Sequence, residues 1–180
     1  MADSPRSDDE LDAWIVATIQ RALAYALSLL GNRTEAEDVV HDCYSRLLAR
    51  AANYDLSREG TPLLFKAITH ACINQTQRRR RHVTWQSAEQ GSDAGALAEP
   101  AALQPPQQAM QHELAAAIDA GLAELSPPQR AAVELRSMGY SLLEIAEMLE
   151  VSYVNARALL HRGRTRLAVR LQPFLQEHVK

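Results

Sequence analysis

The segment from Leu125 to Leu167 constrains the fold of this chain more than any other. It contains two short stretches with apolar residues at three- and four-residue spacings, separated by a tight turn near Glu150. Such spacings predict amphipathic helices, and arginines crowd the second one. This pattern is typical of a helix-turn-helix, which places one helix in the major groove of DNA. The first functional prediction is therefore DNA binding rather than catalysis.

Capping boxes predict where several helices begin. In each box, a Ser or Thr and a Glu or Gln three residues later satisfy two backbone amides that the first turn leaves free. The three pairs are Thr34 with Glu37, Ser126 with Gln129, and Ser141 with Glu144. Ser152 is predicted to cap the last helix, and Pro62 suits the first position of a helix that starts at Thr61.

Periodic apolar residues run along the chain except in one central segment. Further helices are predicted from about Asp9 to Leu30, from Thr61 to the arginines 78–81, and from near Gln107 to Leu125. Between 83 and 106 the periodicity fails, and small and polar residues with three prolines dominate, as in flexible linkers. We therefore expect an all-α fold with two small helical domains, 1–82 and 107–180, joined by a flexible linker at 83–106.

Charge is distributed unevenly along the chain. The formal net charge is -3, which by itself argues weakly against nucleic-acid binding. However, residues 61–81 carry 5 basic and no acidic groups, and residues 126–180 carry 8 basic and 5 acidic groups. DNA responds to the field within about a Debye length, roughly 8 Å, so two basic islands matter more than the total.

The two cysteines and their neighbouring histidines do not indicate a metal site. Cys43 and Cys72 are too few for a disulfide framework, and we expect reduced, buried thiols. His41 and His70 each precede a cysteine by two residues, and on a helix such positions point to different faces. We predict no metal site and no cofactor.

The first residues are polar and acidic, unlike a signal peptide. No apolar run is predicted to reach the roughly 18 residues of a membrane span. We therefore expect a cytoplasmic protein that does not associate with membranes.

Three segments in a characteristic order resemble one protein family, the extracytoplasmic-function (ECF) sigma factors of bacterial RNA polymerase. Residues 34–47 resemble the acidic helix of its region two, residues 63–81 resemble its promoter-melting helix, and residues 125–167 resemble its region four. The resemblance implies a sigma region 2 bundle and a sigma region 4 helix-turn-helix. It also implies core RNA polymerase and promoter DNA as partners, and an anti-sigma protein is usual for such families.

The resemblance assigns roles to three sets of residues. The surface that binds polymerase would comprise Glu37, Asp38, His41, Asp42 and Arg46. The set that reads the -10 element would comprise Lys66, His70, Asn74, Gln77 and Arg78, together with Asn53 and Tyr54 from a loop at 53–60 that captures an unstacked base. The set that reads the -35 element would comprise Tyr153, Asn155, Arg157, His161, Arg162, Arg164 and Arg166; arginine suits guanine and phosphate, and asparagine suits adenine.

Several positions depart from the family pattern, including His70, Asn74 and Glu150. Glu150 stands where the turn of the helix-turn-helix carries a glycine. If the left-handed backbone is kept there, the residue costs about 1 kcal/mol. These departures leave the promoter sequence open.

Three alternatives to a sigma factor make different predictions. A stand-alone helix-turn-helix regulator that never joins polymerase predicts a sensor or dimerisation domain, and the acidic first domain fits it poorly. A sigma-like scaffold without promoter activity is compatible with the departures. An enzyme is disfavoured, because the sequence has no phosphate-binding glycine loop, metalloprotease motif or nucleophile elbow.

Overall fold

A computed structural model describes residues 8–50, 59–86 and 106–176, with side chains over 10–50, 59–79 and 112–174. Within these ranges the chain forms helices and no strand. The helices are α1 (Asp8–Leu30), α2 (Arg33–Leu48), α3 (Gly60–Gln86), α4 (Pro106–Ala123), α5 (Pro127–Ser137), α6 (Leu142–Leu149) and α7 (Tyr153–Gln176). The all-α prediction is confirmed. Because α3 continues to Gln86 and α4 begins at Pro106, most of the predicted linker lies outside the described residues.

The predicted capping box at Thr34 is wrong. α2 begins one residue earlier, and Asn32, in an extended conformation, accepts a hydrogen bond from the Glu35 amide at 3.1 Å. Asparagine is at least as strong an N-cap as threonine, so the cap forms at the first suitable residue after Gly31. Glu37 then lies within the helix and pairs with Arg33 at 2.8 Å instead of closing a box.

The other predicted helix starts in the C-terminal half are confirmed. The Ser126 amide donates to Gln129 Oε1 at 3.3 Å, and the Ser141 amide donates to Glu144 Oε2 at 2.7 Å. Ser152 Oγ accepts from the amide of Asn155 at 3.3 Å. These caps fix where α5, α6 and α7 begin and hence the geometry of the helix-turn-helix.

Glu150 ends α6 with φ 53° and ψ 43°, which is the left-handed conformation. A residue with a Cβ atom pays roughly 1–2 kcal/mol there relative to glycine, since the Cβ crowds the following carbonyl. The left-handed backbone is thus kept at this turn although the residue is not glycine. Two hydrogen bonds close it, from the Glu150 amide to Glu147 O at 3.3 Å and from the Val151 amide to Ala146 O at 3.0 Å.

Helices α1, α2 and α3 form the first bundle. Its core contains the fully buried Leu64, Phe65 and Ile68 of α3, packed against apolar residues of α1 and α2. The Tyr25 hydroxyl lies 2.7 Å from Thr69 Oγ1, and the Thr69 hydroxyl itself donates to the Phe65 carbonyl at 2.6 Å. Buried polar groups in this core are therefore hydrogen-bonded, as they must be to avoid a desolvation cost.

Helices α4 to α7 form the second bundle, in which α7 packs on α4, α5 and α6. Gly163 lies where α7 passes close to α5. A Cβ atom at Gly163 would lie 2.7 Å from Val133 Cγ2 and 3.3 Å from the Gln129 carbonyl oxygen. The missing side chain therefore lets the two helices cross closely, in a bundle whose core includes Leu135 and Ile145.

The two bundles are in contact. α6 and α5 pack against α3, and α5 also packs against α1. The buried apolar residues of both halves form one continuous cluster. The sequence predicted two domains on a linker and carried no sign of this contact, because apolar periodicity within a helix does not reveal which neighbour covers it.

Helix α1 is long and apolar enough to cross a membrane by length and composition. The stretch Glu10–Leu30 has a mean hydropathy of 1.4, so the expectation that no apolar run would reach this length is corrected. Ala22, Tyr25, Ala26 and Leu29 on this helix are buried against the rest of the bundle. Its apolar residues thus supply the core of the first bundle.

Candidate nucleic-acid interface

The predicted polymerase-binding residues lie on the outer side of α2. Glu37, Asp38, His41 and Asp42 are exposed, and their spacings place them on one face. Arg46 is also exposed but lies at the edge of this face, where its Nε donates to the Asp42 carbonyl at 3.1 Å. The structure therefore brings four of the five residues together as an acidic surface, while the fifth turns toward α3.

The predicted -10 residues share one face of α3. Lys66, His70, Asn74, Gln77 and Arg78 follow one another at spacings of four, four, three and one. The last three are exposed, whereas the side chains of Lys66 and His70 are only 39% and 34% exposed. Asn53 and Tyr54, the remaining members of the set, lie outside the described residues.

The second bundle covers the start of this face. Lys66 Nζ lies 3.2 Å from Glu150 Oε1. His70 Nε2 donates to the Met148 carbonyl at 2.9 Å and lies 3.8 Å from the same Glu150 oxygen. A hydrogen bond from Lys66, together with the nearby His70, lowers the pKa of the Glu150 carboxyl below its ordinary value of 4.5.

A cleft of about 380 Å³ lies between α2 and α3, beside the -10 face. Its apolar wall is formed by Leu47, Leu63, Ala67 and Ala71. Its polar groups are Arg46, Arg50, Lys66, His70 and Asn74, and no carboxylate among the described residues lines it. Basic side chains at the rim can bind a phosphate group, and the apolar wall can pack against a flat ring attached to that phosphate.

Arg50 is not among the predicted site residues, although it lines the cleft. It follows α2 in a turn, four residues after Arg46, and lines the same cleft. The spacing of four could have indicated a shared face. Whether that face meets α3 could not be read from the spacing.

The predicted -35 residues of α7 are all exposed but do not form one set. Tyr153, Arg157, His161 and Arg164 share one flank at spacings of four, four and three. Asn155, Arg162 and Arg166 lie on the opposite flank, about 160° around a helix that turns roughly 100° per residue. Arg166 Nη1 also donates to the Glu124 carbonyl at 3.3 Å. Arg166 is therefore tied to the end of α4.

The two cysteines lie in the core of the first bundle. Both are free thiols and at most 1% exposed, as expected from the sequence. Burial raises the pKa of the Cys72 thiol to about 12. His41 is exposed while Cys43 is buried, so this pair points to different sides of α2 and cannot chelate a metal ion together.

Comparison with known proteins accounts for both bundles. Residues 14–82 match the model of the Sigma-70 region 2 family, and residues 115–167 match that of Sigma-70, region 4. The ECF RNA polymerase sigma factor SigE of Mycolicibacterium smegmatis is 32% identical over 158 residues, or 87% of this chain and 57% of that protein. The chain belongs to the ECF sigma factors.

Two further proteins, one by sequence and one by fold, are similar to this sigma factor over most of its length. ECF RNA polymerase sigma factor SigW of Bacillus subtilis is 23% identical over 155 residues, which are 80% of this chain and 79% of SigW. The fold is similar to that of the sigma factor RpoE in a co-crystal structure with the anti-sigma factor NepR from Bartonella quintana. That match has a TM-score of 0.66 at 20% identity and covers 91% of this chain and 98% of RpoE.

Proposed function

We propose that this sigma factor divides its work between the two bundles. The first, within residues 1–82, binds core RNA polymerase and reads and melts the -10 element. The second, within residues 107–180, reads the -35 element. The observation that carries this proposal is the pairing, within one region 2-like bundle, of an acidic outer face on α2 with a polar and basic face on α3.

The acidic face of α2 serves as the polymerase-binding surface. Glu37, Asp38 and Asp42 are exposed carboxylates without a competing core function. Such a surface attracts a basic protein partner and repels DNA. It therefore favours binding to polymerase over binding to the promoter.

The face of α3 and the neighbouring cleft serve promoter opening. Unstacking a base step costs a few kcal/mol, and holding an extruded base in a pocket offsets part of that cost. The cleft has the positive rim and apolar wall for this role, and Asn74, Gln77 and Arg78 continue the polar track along α3. A role for Asn53 and Tyr54 remains a prediction.

Of the two flanks of α7, we assign -35 recognition to the one with Tyr153, Arg157, His161 and Arg164. Arginine there can contact guanine or phosphate, and the flank begins at the N-terminus of the helix, the end that enters the groove in this motif. Arg162 and Asn155 on the other flank are then phosphate contacts or bystanders.

The remaining roles follow from the family. We propose a cytoplasmic initiation factor that contributes no catalytic step of its own and needs no cofactor. An anti-sigma protein is a further proposed partner, supported by the fold shared with RpoE, which was crystallised with one.

Transcription with purified core polymerase on genomic fragments tests the proposal. We expect defined transcripts that start only when this chain is added. A stand-alone regulator would bind DNA without binding polymerase, and that result would refute the assignment.

A further inference from the structure

The solvent side of α7 has an apolar residue between its two basic flanks. Val154, the second residue of the helix, is 75% exposed, more than any other large apolar side chain among the described residues. At 100° per residue it lies about 60° from Arg157 and about 80° from Arg162 around the helix axis. An arginine therefore lies on each side of this apolar side chain.

Val154 points away from the core of the second bundle. The buried side of α7 is formed by Ala156, Leu159 and Leu160. The rotation of the helix places these three residues roughly opposite Val154. Val154 thus occupies the middle of the surface that α7 presents to an approaching duplex.

The stability of the free protein does not account for this residue. A β-branched side chain has a lower helix propensity than alanine, and a side chain that stays exposed gains little from the hydrophobic effect. Single exposed apolar residues are common on protein surfaces. What distinguishes Val154 is its place in the first turn of α7, because the N-terminal residues of a recognition helix contact base edges.

The charge of α7 indicates which kind of partner covers Val154. Between Tyr153 and Gln176 the helix carries five arginines and no aspartate or glutamate. Such a surface attracts the phosphate backbone of DNA. Charge complementarity therefore favours duplex DNA over a basic protein surface as the occupant.

Thymine is the base that offers an apolar group in the major groove. Its C5 methyl group distinguishes it there from the other three bases. The two Cγ methyl groups of Val154 can pack on that methyl group, while Arg157 and Arg162 contact phosphate or guanine on either side. Ala158, one turn later, is small and leaves room for the base edges to approach the helix.

We propose that Val154 is a specificity-determining residue that reads the C5 methyl group of a thymine in the -35 element. This rests on the proposed function of the second bundle. The -35 element then contains at least one thymine whose methyl group contributes to promoter use. Arginine contacts fix the register of α7 on the duplex, and Val154 distinguishes thymine from cytosine at that position.

Replacing thymine by deoxyuridine tests the contact, because it removes the methyl group and keeps every hydrogen bond of the base pair. The probe is a promoter transcribed by holoenzyme made from the full-length chain and core polymerase, with each thymine of its -35 element replaced in turn. At limiting holoenzyme, we expect one replacement to lower the rate of initiation about three- to fivefold, as for the loss of one buried methyl contact. Val154→Ala should lose most of this difference.

Val169→Ala is the matched control for this variant. It makes the same change at a position 69% exposed on the same helix, about 22 Å further along its axis. The control should retain the full effect of deoxyuridine. Urea denaturation should show that Val154→Ala is as stable as wild type, because the residue it replaces is exposed.

Several results would overturn the proposal. They are a -35 element without thymine, equal use of the thymine and deoxyuridine promoters by wild type, and a deoxyuridine effect that persists in Val154→Ala. Weakened polymerase binding by Val154→Ala would also overturn it, because the valine would then be a protein contact. If the wild-type chain starts no transcription with core polymerase, the proposed function itself fails, and this is seen before any thymine is replaced.

Discussion

The proposed -10 face of α3 and the proposed -35 flank of α7 carry similar side chains but meet different surroundings. Both present basic and polar residues at helical spacings. On α3, Lys66 and His70 are half-buried against the second bundle, whereas on α7, Tyr153 and Arg157 face solvent. Equivalent sequence signals thus give one face that is partly closed and one that is open. Availability for DNA is a property of the neighbouring surface as well as of the helix.

Removing the Phe65 ring should have the largest effect on stability. Phe65 is fully buried beneath the -10 face and lies within ring contact of Tyr25 and Tyr140, so Phe65→Ala leaves a cavity shared by both bundles. We expect a loss of about 3–5 kcal/mol in the free energy of unfolding. Urea denaturation measures it, with Leu143→Ala, at a position 60% exposed, as a near-neutral control. Equal midpoints for the two variants would show that the ring is not structural.

Adding a side chain at Gly163 should destabilise the packing of α7, the helix that carries the exposed flank. In Gly163→Ala the new methyl group meets Val133, and we expect a net loss of about 1–3 kcal/mol, despite the higher helix propensity of alanine. Thermal unfolding measures the loss, and Val169→Ala on the solvent side of α7 is the control. A stabilised Gly163→Ala protein would mean that α7 shifts freely on α5.

Changing one charged residue on each proposed surface should separate DNA binding from polymerase binding. Arg157→Ala should weaken promoter binding by about 1–3 kcal/mol, or roughly 5- to 150-fold, and leave polymerase binding intact. Asp38→Lys should do the reverse. Transcription and polymerase-binding assays run on both variants measure the split. The same defect in both assays for both variants would contradict the division of surfaces.

Acid should have a smaller effect, through the contacts of Glu150 with Lys66 and His70. The pKa of Glu150 is lowered in the folded protein by Lys66 and His70, so its contribution is fully present above its ordinary pKa of 4.5. It is lost as the pH falls through the lowered value. In urea denaturation, wild type should be more stable than Glu150→Gln near neutral pH, and the difference should vanish in acid. A difference that persists in acid would show that the carboxylate charge does not contribute to this contact.

The positions at which helices begin show what the local sequence can predict. Ser126, Ser141 and Ser152 were predicted as caps and act as caps, because such hydrogen bonds span only a few residues of chain. The Thr34 box failed for an equally local reason, since Asn32 offered an earlier cap. The split of the α7 residues into two flanks was also readable from spacing, but the family resemblance had grouped them as one set.

The contacts between different helices could not be predicted from the sequence. The cleft with Arg50 depends on how α2 meets α3, and the pairing of Glu150 with Lys66 joins residues far apart in the chain. Helical periodicity shows that a face is apolar or basic, but every amphipathic helix is a possible partner for every other.

The order of residues alone determined that this chain is helical, where most of its helices begin, and that it carries the motifs of an ECF sigma factor. Capping, apolar spacing and local charge depend on near neighbours, which the sequence states directly. The tertiary structure alone decided which basic face lies against the second bundle and which faces solvent, because long-range packing selects one arrangement among many that local preferences allow.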